Sequence, residues 1–172
     1  MWYREKQSNT KENINVRVKE ILKNHPFFKI LMDYYGVDYN DIDNHLDINI
    51  KKMDGKYSEG NGEEINLNEK LFNEDNLLNN FHFIVHEFFH WIKRRAEDKF
   101  YFNDPEEVQS FVIAMTWELI RGKSKEDIKR FFAPIIFKYF NDKSKAQNTL
   151  EQMIEKSENL KNMYQKKCDL NG

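Results

Sequence analysis

From Asn76 to Glu97 the chain keeps an apolar residue at every third or fourth position: Leu77, Phe81, Ile84, Val85, Phe88 and Ile92. That period matches a helical turn, so these side chains line up as one stripe that has to be buried. The rest of the chain must supply a core for it. The same stretch, FHFIVHEFFHWIK from Phe81 to Lys93, carries three of the five histidines, His82, His86 and His90, with Glu87 among them. One helix therefore presents an apolar face and an edge of imidazoles.

The chain is long enough to enclose such a helix. Its 172 residues fit one domain, and 40% apolar content with 15% aromatics argues for a packed globule rather than disorder. A net charge of -2 supplies no basic field, so binding to nucleic acid is not expected. No apolar run approaches the roughly 18 residues a membrane span requires. The N-terminal MWYREKQSNTKENINV has no apolar segment of the kind a cleaved secretion signal carries. A single cysteine, Cys168, excludes an internal disulfide framework. A monomer in the cytoplasm is the expectation.

Other elements are read from local signals. Val16, Val18, Ile21 and Leu22 suggest a short helix over Asn15 to Asn24, and FFKILMDYYG after Pro26 suggests a second, ending at Gly36. LDINIKKM from Leu46 alternates apolar and polar residues. Asp-Gly and Asn-Gly turn signals then precede a second alternating run, Ile65 to Leu67. These predict a small antiparallel sheet. Everything after Asn76 reads as helical. The central helix spans about Asn76 to Glu97, and the next has Asp104 as N-cap, Pro105 at its first position and Gly122 at its end. A third has a capping box from Ser124 to Asp127 and a kink at Pro134, and a polar helix from about Lys143 to Cys168 is expected on the outside. The fold class is α+β, mainly helical, with the small sheet ahead of the central helix. One domain, 1–172, is expected, with a core over about 45–122 and C-terminal helices over 124–168.

Within the central helix, His86-Glu87-Phe88-Phe89-His90 has the form H-E-x-x-H. Residues i and i+4 of a helix lie one above the other, so both imidazoles can converge on one ion. Glu87 is turned about 100° away, which lets it face a water on that ion rather than the ion itself. Zinc lowers the pKa of such a water towards neutrality, and the carboxylate takes its proton as the water attacks a carbonyl. His82 stands two turns from His90, about 12 Å along the axis, too far for all three histidines to share one tetrahedral ion. It reads as a supporting or surface residue.

No histidine follows His90, so a third ligand comes from a downstream carboxylate, from Cys168, or from His25 or His45 upstream. Two histidines and a glutamate are a common catalytic zinc set, and a following helix can bring one back across the site. Glu107 in Asp104-Pro105-Glu106-Glu107 meets that description, with Glu118 and Asp98 behind it. Glu107 also lies three residues after Asp104, where a glutamate closes a capping box. Spacing leaves ligand and cap both open.

With INLNEKLF, HEFFH and EVQSFV in that order over Glu64 to Met115, the chain resembles the gluzincin branch of the zincin metallopeptidases. The likeness is to its compact members, the minigluzincins and the small cytoplasmic peptidases of phages and mobile elements. Val112 stands where such proteins have a small residue. The resemblance implies a zincin-like domain holding one zinc on His86, His90 and Glu107, with Glu87 as general base and a protein or peptide as substrate. It also implies that Ile65, Asn66, Leu67 and Asn68 form a strand edge that binds substrate in extended form. A donor to the developing oxyanion is expected as well, with Tyr101, Tyr139 and His82 as candidates. The competing expectation is a non-catalytic interaction protein of the same shape, in which any metal is structural.

Overall fold

The computed structural model describes residues 2–60, 63–96 and 106–171, and the side chains of 11–60, 63–96 and 106–170. It divides into two compact units, Met1–Phe102 and Asn103–Gly172. The class is α+β and mainly helical.

The first unit opens with α1 (Trp2–Asn24), α2 (Pro26–Tyr35) and α3 (Asn40–His45). α1 is longer than expected. Its described buried stripe is Ile14, Val18 and Leu22, one residue per turn, while Val16 is about half exposed. α2 begins and ends where local chemistry says it should. His25 Nδ1 accepts from the Phe27 amide at the N-cap, and Pro26 needs no hydrogen bond there. At the other end Gly36 takes a left-handed φ of 67°, and the amides of Gly36 and Val37 donate to Asp33 and Met32.

Three strands follow: β1 (Asp47–Lys51), β2 (Ser58–Gly60) and β3 (Glu64–Asn68), in the spatial order β1-β3-β2. β2 and β3 are antiparallel, but β1 and β3 are parallel. The sheet is thus mixed, which corrects the expectation of an antiparallel one. Two reversals explain it. The chain turns at Asp54-Gly55, where Gly55 has a φ of 71°, and again between β2 and β3, so the first and third strands point the same way.

β3 is consequently the central strand, with Ile65, Asn66, Leu67 and Asn68 all buried. α4 (Phe81–Arg95) packs on this sheet against β2 and β3. Phe81, Ile84, Val85, Phe88 and Ile92 are fully buried, as the stripe required. α4 starts five residues later than its pattern. Asn73 accepts from the amides of Asp75 and Asn76 while Asn76 accepts from that of Asn73, so side chains take the bonds a helical turn would have used. Glu97, the expected end, lies outside the described residues.

The second unit contains α5 (Glu106–Ile120), α6 (Lys125–Ile136) and α7 (Lys143–Asn171). Gly122, at a φ of 91°, closes α5 with amide bonds from Gly122 to Leu119 and from Lys123 to Glu118. Ser124 and Asp127 form the reciprocal capping box of α6. Pro134 lies inside α6, which gives way after Ile136 to a 3₁₀ turn, Phe137–Tyr139. α7 is more than an outer cover. Leu150, Met153 and Ile154 are buried in one cluster with Phe111, Met115 and Leu119 of α5 and Ile128 and Phe132 of α6, and Ala146 is buried as well. Among the described residues, no helix is long and apolar enough to cross a membrane.

Candidate metal centre

In the first unit, α4 places His86, Glu87 and His90 on its half-buried edge, opposite the apolar stripe. The imidazoles of His86 and His90 face each other with their Nε2 atoms 3.3 Å apart and ring centroids 4.9 Å apart. At this distance one neutral ring can donate to the other in a long N–H···N hydrogen bond. The same separation suits two nitrogens on a tetrahedral zinc. Two Zn–N bonds of about 2.0–2.1 Å at the tetrahedral angle put the nitrogens roughly 3.3 Å apart.

Glu87 is held from the sheet. Ser58 Oγ in β2 donates to Glu87 Oε1 at 2.8 Å. A Cβ placed on Gly60, the last residue of β2, would stand only 2.9 Å from Glu87 Oε2. One turn earlier on α4, the Phe83 ring stacks on Tyr57, with centroids 4.8 Å apart and planes 16° apart. β2 is therefore laid along α4 by adjacent contacts, Tyr57 to Phe83 and Ser58 to Glu87. Neither Ser58 nor Gly60 was singled out from the sequence. Their only signal is a Ser-x-Gly spacing inside a turn-rich segment, which marks no strand by itself.

Several expected site residues stand elsewhere. The proposed substrate edge, Ile65 to Asn68, is not an edge, because both sides of β3 are paired. Asn68 serves the architecture instead, since its side-chain amide donates to the carbonyls of Met53 and Lys56 and fixes the turn that leads to β2. Asn66 accepts from Asn49 across the sheet. The edge that lies against α4 is β2. His82 is buried, at 2% exposure, with its ring 4.2 Å from that of Phe83, so it is not a surface residue. His25 caps α2, and burial pushes its pKa down. His45 is exposed at the end of α3, and its carbonyl accepts from Trp91 Nε1.

In the second unit, Glu107 is exposed in the first turn of α5. Asp104, the N-cap that would pair with it, and Pro105 lie outside the described residues, as do Asp98 and Tyr101. Glu118 is buried and paired with Arg121 at 3.4 Å. Tyr139 is exposed in the 3₁₀ turn, with its ring 6.0 Å from Phe111. Cys168 is a free thiol near the end of α7.

The donor set suits a catalytic ion. Two imidazoles on consecutive turns of one helix are a donor pair of the kind catalytic zinc sites use. Compared with protein-family models, curated proteins and solved structures, the chain matches none.

Proposed function

We propose that the chain is a zinc-dependent peptidase, of the zincin type it resembles, in which His86, His90 and Glu107 hold one ion and Glu87 is the general base. The observation that carries this reading is the 3.3 Å separation of the two Nε2 atoms on the helix that also carries Glu87. The resemblance carried by Glu64 to Met115 implies Glu107 as the third ligand, and two histidines with one glutamate are a common catalytic zinc set.

When bound, zinc supplies Lewis acidity that brings the pKa of a water it holds towards neutrality and polarises a carbonyl. The protein's residues do the rest. His86 and His90 donate from consecutive turns of a helix whose opposite face is locked in the core, so their spacing is fixed before substrate arrives. Glu87 accepts the proton of the attacking water and returns it to the departing amine. β2, as the sheet edge beside α4, takes the place of β3 as the strand on which an extended peptide would pair. The single cysteine, which allows no internal disulfide, fits work in the cytoplasm. Protein or peptide is the substrate class, and the acting form is the monomer.

Cleavage of fluorescein-labelled casein by Glu87→Gln tests the assignment. The variant should keep its zinc and lose about 10²–10⁴-fold in rate, since it removes only the proton acceptor. A Glu87→Gln protein that cleaves as fast as the wild type contradicts the proposal.

A further inference from the structure

We propose that Ser58 and Gly60 of β2 are positioning residues that seat Glu87 for proton transfer, an inference that rests on the peptidase reading. A glutamate on a helix edge has three rotatable bonds, and ordering such a chain costs conformational entropy. A general base has to be ordered, because proton transfer needs heavy atoms within about 2.6–3.2 Å. Ser58 supplies the restraint. Its hydroxyl donates to Oε1 at 2.8 Å, which leaves Oε2 as the oxygen available to a water.

Gly60 supplies the space. Residues two apart on a strand share a face, so position 60 is directed at the same carboxylate as Ser58. A Cβ there would come within 2.9 Å of Oε2 and 3.7 Å of Glu87 Cβ. Backbone conformation does not demand glycine at this position: among the described residues, the positive-φ glycines are Gly36, Gly55 and Gly122. The requirement is for room beside the carboxylate. The strand itself is pinned, with Ser58 opposite Leu67 and Gly60 opposite Ile65 in the β3 ladder. The Tyr57–Phe83 stack fixes it again one turn before Glu87.

A purely architectural strand-to-helix tie would behave differently from a seat. The atom that a Gly60 side chain meets is the far end of a flexible carboxylate, so Gly60→Ala moves Glu87 rather than the strand. Ser58→Ala and Gly60→Ala should each keep their metal and melt close to the wild type. Each should lose on the order of tenfold in kcat on fluorescein-labelled casein with KM nearly unchanged, Ser58→Ala through one lost hydrogen bond to a charged group and Gly60→Ala through displacement of the carboxylate. Ser58→Thr, which keeps the hydroxyl, should restore the rate. A second readout needs no turnover. In protein loaded with cobalt(II), the visible bands of Ser58→Ala and Gly60→Ala at one fixed pH should shift towards those of Glu87→Gln, with Ser58→Thr remaining like the wild type. Wild-type rates and wild-type cobalt spectra in both alanine variants would overturn the seat and leave the peptidase reading standing. Undiminished cleavage by Glu87→Gln would overturn both.

Discussion

Helices α4 and α5 have the same length, fifteen residues each, and treat their polar groups in opposite ways. α5 is buried from Gln109 to Leu119 without a break, and three of its polar residues there turn to near neighbours. Ser110 donates to the Glu106 carbonyl, Thr116 to the Val112 carbonyl, and Glu118 pairs with Arg121. Those groups are absorbed by the architecture. α4 instead keeps His86, Glu87 and His90 together on one half-buried edge, with imidazole facing imidazole and the carboxylate held by a different element. A polar group that returns to its own helix backbone is explained by folding. Three ionisable groups converging on one edge are better explained by chemistry.

This contrast can be broken most forcefully through stability. Phe88 is fully buried in α4, and Phe88→Ala should cost about 3–5 kcal/mol in urea unfolding; Met115→Ala in α5 should cost about 2–5 kcal/mol. His86→Ala, measured on metal-free protein, should lie within about 1 kcal/mol of the wild type, because the edge it leaves is half-buried. If His86→Ala unfolds as readily as Phe88→Ala, the imidazole edge is part of the core and the distinction between the helices fails.

A smaller effect separates the caps of the two units by pH. Burial lowers the pKa of His25, which caps α2, below its usual 6.5. Its contribution is therefore present above pH 6.5 and is lost as pH falls from there through the folded value. Protonation also removes the Nδ1 lone pair that receives the Phe27 amide. The Ser124 hydrogen bonds, hydroxyl first and amide second, lower the pKa of Asp127 below 3.8. The capping box of α6 thus contributes above pH 3.8 and weakens only as pH falls below it. Amide exchange followed by NMR should show the first turn of α2 loosening at a higher pH than the first turn of α6. The reverse order would contradict the assignment of the caps.

What the sequence made legible was what is decided locally. Gly36, Gly122 and the Ser124–Asp127 box each act within a few residues, and each ends or starts its helix as read. The α4 stripe was legible because six apolar residues share one period, although Asn73 and Asn76 delayed the first turn. The strands were read less well. β2 is three residues long and is made a strand by its ladder with β3, which no local pattern announces. The edge role of Ile65 to Asn68 came from the resemblance, and without β2 the parallel pairing of β3 with β1 stayed hidden. At the site, the pairing of His86 with His90 follows from helical spacing alone. The Ser58 contact to Glu87 joins residues 29 apart in sequence and could be seen only once β2 lay along α4. Glu107 was legible as a residue type in a suitable place, but one position in a first helical turn serves a cap and a ligand equally well.

The central claim is that two imidazoles of α4 and the Glu107 carboxylate hold one ion. Its most direct test is the zinc content, by inductively coupled plasma mass spectrometry, of wild type and Glu107→Ala purified side by side without chelator. The expected result is about one zinc per wild-type chain and a large loss in Glu107→Ala, as for a catalytic site deprived of one of three protein ligands. A zinc-free wild type, or a Glu107→Ala protein that retains the full complement, would contradict it.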